Sequence, residues 1–369
     1  MAKGKKDIHE DDTALILVLM LVCFGLVMVF STSSYKADQL FGNKAYWFIR
    51  QSIWAVMGTL VMLSISRFDY RKIGRMKGLL TVIYIGMSLL LVLTLLIGSV
   101  TKGSKRWLSL GPVSFQPSEL SKVVMILFLA SYLSRHEKQA KKVKGNLVAL
   151  LLSIFIIGPV GIENASTSII LLAIAGIMVF VSSPWYKRFF AMIFLGAAAV
   201  TIIIGSRAYR LERLVIWMDP ENHPKGLQTM QGLYAIGSGG LFGKGLGQSM
   251  QKMGFLPEPQ NDMIFSIICE ELGLFGALFV LLLFGLLLFC FIRIAMQCPD
   301  LFGTFLVTGV TAHLGIQIFV NISVVTNTIP NTGIPLPFIS YGGSSLFFLL
   351  SEIGFVLSVA RHSRTGNLF

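Results

Sequence analysis

Charge is scarce in this chain. Only 13% of its 369 residues are Asp, Glu, Lys or Arg, where a soluble globular chain carries about a quarter. A water-facing surface cannot be built from so few. The hydrophobic residues, 54% of the total, fall in runs of roughly 20, the length that crosses a hydrocarbon core of about 30 Å. Acidic residues are scarcer still, 18 against 31 Lys and Arg, for a net charge of +13. That excess does not indicate nucleic acid, because the basic residues sit in short stretches between apolar runs, where the preference for positive charge on the cytoplasmic side puts them. Cysteine is limited to Cys23, Cys269, Cys290 and Cys298. None forms a CxxC pair or a Cys/His cluster, which argues against a disulfide framework or a cysteine metal site and leaves small apolar residues of helices. The histidines show no ligand spacing either. A signal-peptide pattern is not expected here: the apolar run from about Thr13 to Phe30 is too long for a signal-peptide core and lacks a clear small-x-small site, so it is read as a retained first helix. Gly237–Gly247 has a GxGxxG-like spacing, but it follows no strand of a βαβ unit. That excludes a dinucleotide site and leaves tight turns with close backbone approach.

What is present is a series of apolar spans, expected at 13–33, 46–66, 77–98, 117–134, 146–160, 166–182, 188–205, 263–292, 301–324 and 342–360. Gly158-Pro159 is expected to interrupt the fifth. The predicted fold is an all-α polytopic membrane protein with about ten transmembrane helices, forming one domain over residues 1–369. Basic residues in the N-terminal tail (1–12), in the second, fourth and sixth loops, and in the C-terminal tail (361–369) fall on one side if the count is even. Both termini are then cytoplasmic. The odd loops face outward, and the largest, 206–262 between helices 7 and 8, is too apolar and glycine-patterned for a disordered linker, so it is expected to fold onto the outer face. Asn327–Ser345 is rich in Pro and Gly yet hardly charged, as irregular backbone packed against protein at membrane depth would be.

The candidate chemistry gathers around Gly243–Gly276. Asp262 is the last polar residue before the eighth span. Two readings stand: a helix cap shared with Asn261, or a carboxylate at the water–lipid boundary, placed to act on the head group of a lipid-linked substrate. Glu270 and Glu271 lie about two turns deeper. On a continuous helix Glu270 is about 80° from Asp262 and Glu271 nearly opposite. Ionisable groups inside a span suggest function, and the alternative is a buried pair bonded to Lys122 or Arg50. Outward cations (Arg50, Lys102, Lys105, Arg106, Lys122, Arg207, Arg210, Arg213, Lys244 and Lys252) are either interfacial snorkelling groups or a face for phosphate or pyrophosphate. Trp107 is an interfacial anchor or a sugar-stacking ring. Pro117 suits the first turn of the fourth helix, where Glu119 and Lys122 are i,i+3 neighbours.

Three stretches occur in order between these spans: KGSKRWLSLGPVSFQPSELSK; MDPENHPKGLQTMQGLYAIGSGGLFGKGLGQSMQKMGFLPEPQNDMIFSIICEELG; and NTGIPLPFISYGGSSL. Together they resemble the SEDS family (shape, elongation, division and sporulation) of bacterial membrane proteins, over essentially the whole chain and most like its FtsW/SpoVE branch. The resemblance implies a peptidoglycan glycosyltransferase that polymerises lipid II at the outer face of the bacterial plasma membrane. Its partner would be a class B penicillin-binding protein, with other divisome membrane proteins at the division septum. It carries the catalytic role to Asp262, in Pro257-Glu258-Pro259-Gln260-Asn261-Asp262. Substrate-lining roles go to Arg50, Gln51, Lys102, Lys105, Arg106, Trp107, Gln116, Glu119, Lys122, Lys252, Glu258 and Ser344, and there is room for a divalent cation (Mg or Mn). The chain departs from the family at Gln260-Asn261, where many members have His-Thr, and at Glu163–Thr167, often QPDLGT, so position 165 receives no role. A lipid II flippase, an elongation polymerase of the RodA type and a non-enzymatic divisome scaffold are the alternatives.

Overall fold

The computed structural model describes residues 10–101, 104–110, 113–140, 143–183 and 208–365, with single positions 196, 198, 201 and 205 between. The elements in order are α1 (Glu10–Phe41), α2 (Tyr46–Arg67), α3 (Tyr70–Arg75), α4 (Lys77–Ile97), β1 (Ser99–Thr101), β2 (Ser104–Leu110), β3 (Val113–Phe115), α5 (Pro117–Arg135) and α6 (Glu137–Ala140). They continue with α7 (Val143–Glu163), α8 (Ala165–Ser182), α9 (Ala208–Met218), α10 (Leu227–Gly239), α11 (Ile264–Gln297), α12 (Leu301–Val325) and α13 (Gly343–Thr365). Among the described residues eight helices are long and apolar enough to cross a membrane: α1, α2, α4, α7, α8, α11, α12 and α13. The fourth expected span is helical as α5 but less apolar. It is packed inside the bundle, where Ser118, Ser121, Lys122 and Ser131 are buried beside Leu129 and Leu133. The seventh, 188–205, lies outside the described residues apart from four single positions.

Local chemistry sets the helix ends. Asp69, Asn164 and Asp300 each accept a backbone N–H of the helix that follows, satisfying donors that the first turn leaves free. Pro117 opens α5, where its missing N–H costs nothing. Three departures from the sequence pattern stand out. The expected interruption at Gly158-Pro159 does not occur: α7 runs through Pro159. A proline removes one N–H from the ladder, and neighbouring helices can satisfy backbone groups near it; here the Ser168 hydroxyl donates to the Ile157 carbonyl at 3.2 Å. The outer connection after α4 is not purely irregular but a small antiparallel sheet in the order β1-β2-β3, with Ser99 opposite Trp107 and Leu108 opposite Phe115. Lys102 and the Gly111-Pro112 turn lie outside the described residues. Finally, the eighth span is longer than expected and broken at Gly273.

The tightest helix pair is α2 with α13. A Cβ on Gly58 would fall 2.7 Å from Leu350 Cδ1, and one on Gly354 would fall 2.8 Å from the Met62 carbonyl. Small residues let two membrane helices approach this closely. Helices α12 and α13 are enclosed on most sides, whereas α2 and α4 show broad apolar faces (Ile53, Val56 and Leu60; Val82, Leu89 and Leu96) outward, as lipid-facing spans do. The outer segment folds onto the bundle through α9. Arg210 donates to the carbonyls of Gly161 and Ile162 at the end of α7, and Arg213 to that of Asn331. Trp217 Nε1 donates to the Asn327 carbonyl beyond α12.

Candidate active site

Asp262 is not a helix cap. The N-cap of α11 is Met263, with no side-chain capping bond, and Asn261 spends its amide on Glu258 Oε2 at 2.9 Å. Asp262 therefore precedes the helix, and the 80° and 180° offsets expected for Glu270 and Glu271 do not apply. Its backbone is clamped instead. The Asp262 carbonyl accepts from Asn321 Nδ2 at 2.8 Å, and the same amide group donates to the Ile334 carbonyl at 2.8 Å. The preceding carbonyls of Gln260 and Asn261 accept from the Tyr341 N–H (2.8 Å) and the Ser340 hydroxyl (2.7 Å). Irregular backbone is thus held on irregular backbone, with α12 supplying amide side chains: Gln317 Nε2 donates to the Pro335 carbonyl at 3.0 Å. The Asp262 carboxylate is left half-buried. Gln228 Nε2, on the first turn of α10, lies 3.4 and 3.5 Å from its two oxygens, and a Cβ on Gly333 would lie 3.9 Å from Oδ2. A carboxylate with a fixed backbone and an accessible head can accept a proton from a bound hydroxyl.

Directly after it, α11 holds the two deeper carboxylates. At Gly273 the backbone turns to φ 67°, a conformation that favours glycine. Breaking a helix frees carbonyls before the break and N–H groups after it. The glycine stretch supplies their partners. Lys244 and Gly245 N–H donate to the Glu270 and Glu271 carbonyls at 2.9 Å, while Leu274 and Phe275 N–H donate to the Gly240 and Leu241 carbonyls at 2.9 and 3.2 Å. The approach leaves no room for side chains: a Cβ on Gly243 would lie 2.2 Å from the Glu271 carbonyl oxygen. Both carboxylates are fully buried and both are paired, though not with Lys122 or Arg50. Glu270 binds Lys244 Nζ at 2.7 Å, the Ser249 hydroxyl and the Met250 N–H. Glu271 binds Lys252 Nζ at 2.6 Å and the Ser31 hydroxyl of α1, which also accepts from Lys252 at 3.0 Å. Four cations expected on a phosphate-binding face, Lys244, Lys252, Arg210 and Arg213, are accordingly bonded to buried carboxylates or backbone carbonyls. The lysine–glutamate pairs knit the outer segment to α11.

The remaining candidates form a second group on α2, α5 and α13. Lys122 Nζ and Glu119 Oε2 pair at 3.0 Å, buried, and Ser345 donates to the same Glu119 oxygen at 2.6 Å. Ser344 is buried beside it; the hydroxyl on the glutamate is Ser345's. Gln51 is buried and bridges to the segment before α13 through the Ser340 carbonyl and the Gly342 N–H, both at 3.2 Å. Arg50 is exposed, donates to the Tyr46 hydroxyl at 2.7 Å and lies over that ring. Gln116 precedes α5 and donates to the Ser118 hydroxyl. Trp107 is half-buried on β2. Glu258 sits at φ 49° in the turn closed by Asn261. Lys102 and Arg207 lie outside the described residues, and for Lys105 and Arg106 only the strand is described. The two groups are linked through the segment that leads into α13 and its first turn: Ser340 holds the Asn261 carbonyl, and Ser345 holds Glu119. Gln317, Ser340 and Ser345 line a small void there, which neither Asp262 nor Lys122 lines.

Sequence reasoning missed Gln228, Asn321, Gln317 and Ser345. Asn321 and Gln317 were visible as amides at i and i+4 of an apolar helix, a pattern whose buried members need partners. Gln228 carried no such signal, since polar residues are ordinary in a loop helix.

The family model described as "Cell cycle protein" (FTSW_RODA_SPOVE) matches residues 12–365. Stage V sporulation protein E of Bacillus subtilis (strain 168) is 40% identical over 364 residues, 97% of this chain and 99% of that protein. The "Probable peptidoglycan glycosyltransferase FtsW" of Geobacter sp. (strain M18) is 35% identical over 96% of this chain and 97% of its own length. Among solved structures, a chain of a peptidoglycan synthase complex that coordinates polymerization and crosslinking aligns with TM-score 0.79 at 28% identity, over 95% of this chain and 97% of that one. The rod shape determining protein RodA of Thermus thermophilus aligns with TM-score 0.69 at 28% identity, over 95% and 96%. A bundle of apolar helices with a polar site at the head of α11, matched along its whole length in this way, belongs to the FtsW/RodA/SpoVE family of cell cycle proteins.

Proposed function

We propose that this multi-pass membrane protein is a peptidoglycan glycosyltransferase that polymerises lipid II at the outer face of the plasma membrane, with Asp262 as its catalytic base. The observation that carries the reading is the clamp around Asp262: the Tyr341 N–H, the Ser340 hydroxyl and the Asn321 amide hold the carbonyls of residues 260–262, while its carboxylate stays half-buried. The acceptor hydroxyl gives its proton to an Asp262 oxygen as its own oxygen attacks the donor's anomeric carbon. The bond from that carbon to the pyrophosphate breaks, and the polyprenyl pyrophosphate leaves. One displacement inverts the centre and needs one carboxylate as base. Lys122, held by Glu119 on α5, is proposed to meet negative charge on the leaving group. Lys102, Lys105 and Arg106 are proposed to join it.

Among the described residues no three of His, Cys, Asp and Glu converge into a metal site. A divalent cation would therefore be held by Asp262 together with phosphate oxygens of the substrate, the arrangement common for Mg; it would supply charge neutralisation to the leaving group. The solved relative acts within a synthase complex, and a class B penicillin-binding protein is the proposed partner here, at the division septum.

A flippase would use ionisable groups inside the bundle as steps of a pathway, and Glu270, Glu271 and Glu352 are the carboxylates there. All three are committed: Glu352 binds His313 at 2.7 Å in the bundle core, and the other two bind lysines. Purified protein given lipid II in detergent separates the readings. Glycan polymer supports the polymerase; absence of polymer with partner present sinks it, since flipping has no meaning there and a scaffold forms no product.

A further inference from the structure

One strip of the outer segment is turned inside out. Between Gly240 and Leu256 the large apolar side chains point outward: Leu241, Phe242, Leu246, Met250, Met253 and Phe255 are all exposed, Phe242 at 79%. Its two lysines, Lys244 and Lys252, point inward to Glu270 and Glu271. A loop surrounded by water would show the reverse arrangement. We propose that residues 241–255 rest in the membrane leaflet on the Asp262 side, with these apolar side chains among the lipid acyl chains. The inference depends on the chain being a membrane protein and not on the chemistry assigned to Asp262.

Two observations identify lipid as the occupant. The patch is continuous with the lipid-facing side of α11: the Phe242 and Phe275 rings lie 5.3 Å apart, and beyond Phe275 the exposed Leu278, Phe279 and Leu282 carry the same apolar surface down the span. The depth also fits. Arg293, exposed and over the Phe289 ring, lies 18 residues past Phe275. At 1.5 Å per residue the two are about 27 Å apart, against about 30 Å for a hydrocarbon core. With Arg293 at one boundary, Phe275 and the Phe242 ring beside it stand at the other. The break at Gly273 then marks where α11 enters the hydrocarbon, and Ile264–Leu272 is the part shielded from lipid by this strip. The strip would set the height of Asp262 above the acyl chains.

The test is depth measurement in vesicles of phosphatidylethanolamine and phosphatidylglycerol. Phe242→Cys, Phe255→Cys, Leu282→Cys and Glu221→Cys, each in a chain whose four native cysteines are changed to Ala, are labelled with an environment-sensitive fluorophore. Labels at 242 and 255 are expected to be quenched by brominated acyl chains, at a shallower depth than the label at 282, which lies seven residues, about 10 Å, further down the span from Phe275. Quenching there by aqueous iodide to the extent seen at 221 would overturn the proposal. So would loss of bromolipid quenching when the transpeptidase partner is co-reconstituted, because the patch would then belong to a protein. The unsubstituted chain provides a second readout that needs no variant. Hydroxyl radicals generated in the water phase should oxidise Met250 and Met253 as poorly as Met20 and Met57, which are also exposed, on α1 and α2; oxidation well above those two contradicts the assignment.

Discussion

Asp262 owes its position to side chains that never touch substrate in this account. Asn321 alone satisfies two buried carbonyls, those of Asp262 and Ile334. Asn321→Leu removes the donor that both share, at roughly 1–3 kcal/mol for a buried acceptor that loses its bond. We expect a lower thermal midpoint and a larger fractional loss of polymerisation rate than of folded protein, read by thermal denaturation and glycan yield on the same preparation. A variant as active as the parent would show that the clamp is dispensable. The lysine–glutamate pairs are a separate matter. Lys252→Met strands Glu271 in the interior, and breaking one side of a buried pair costs about 3–5 kcal/mol. Changing both partners, Lys252→Met with Glu271→Gln, should recover much of that loss in a thermal melt; failure to recover would mean that the ions have a role beyond pairing. Legibility at this scale was uneven. The i,i+3 pairing of Glu119 and Lys122 follows from helix geometry and is present. The partners of Glu270 and Glu271 were not legible, because they sit on a loop whose path is fixed by glycine turns rather than by any periodicity.

At the scale of elements, hydropathy located eight of the ten expected spans among the described residues, since lipid leaves a chain few alternatives to helix. It could not find the break inside α11, where apolar residues continue on both sides of Gly273. Nor could it distinguish an interrupted α7 from one that runs through Pro159. The sheet after α4 was not legible by period either: in SKRWLSL three polar residues are followed by the adjacent Trp107 and Leu108, so no alternation marks the strand. The break makes a sharp prediction. Gly273→Ala must place a side chain at φ 67° with its Cβ about 2.3 Å from the Gly243 N atom, so both helix and loop have to move. We expect the variant to lose the folded state, seen as aggregation in size-exclusion chromatography, whereas Gly285→Ala, with nothing near its Cβ, should behave as the parent. Equal behaviour of the two would show that the break is not required.

For the whole molecule, the account requires Asp262 and the outer segment on one side and the termini on the other. A membrane-impermeant thiol reagent on intact cells should modify Lys225→Cys, in the outer segment, and reach Arg361→Cys only after permeabilisation; the opposite pattern would invert the topology. The basic-loop bias carried that arrangement in the sequence, and the family match along the chain agrees with the helical bundle it predicted. Under the proposed function, the arrangement holds the Asp262 carboxylate beside the lipid-linked reactants. The most direct test is polymerisation of lipid II by purified Asp262→Asn, which keeps the clamp and the shape but removes the proton acceptor. Its product should fall by at least about 10²-fold, the scale of general-base catalysis, with membrane insertion and partner binding intact. Glycan strands formed at the parent rate would contradict the central claim.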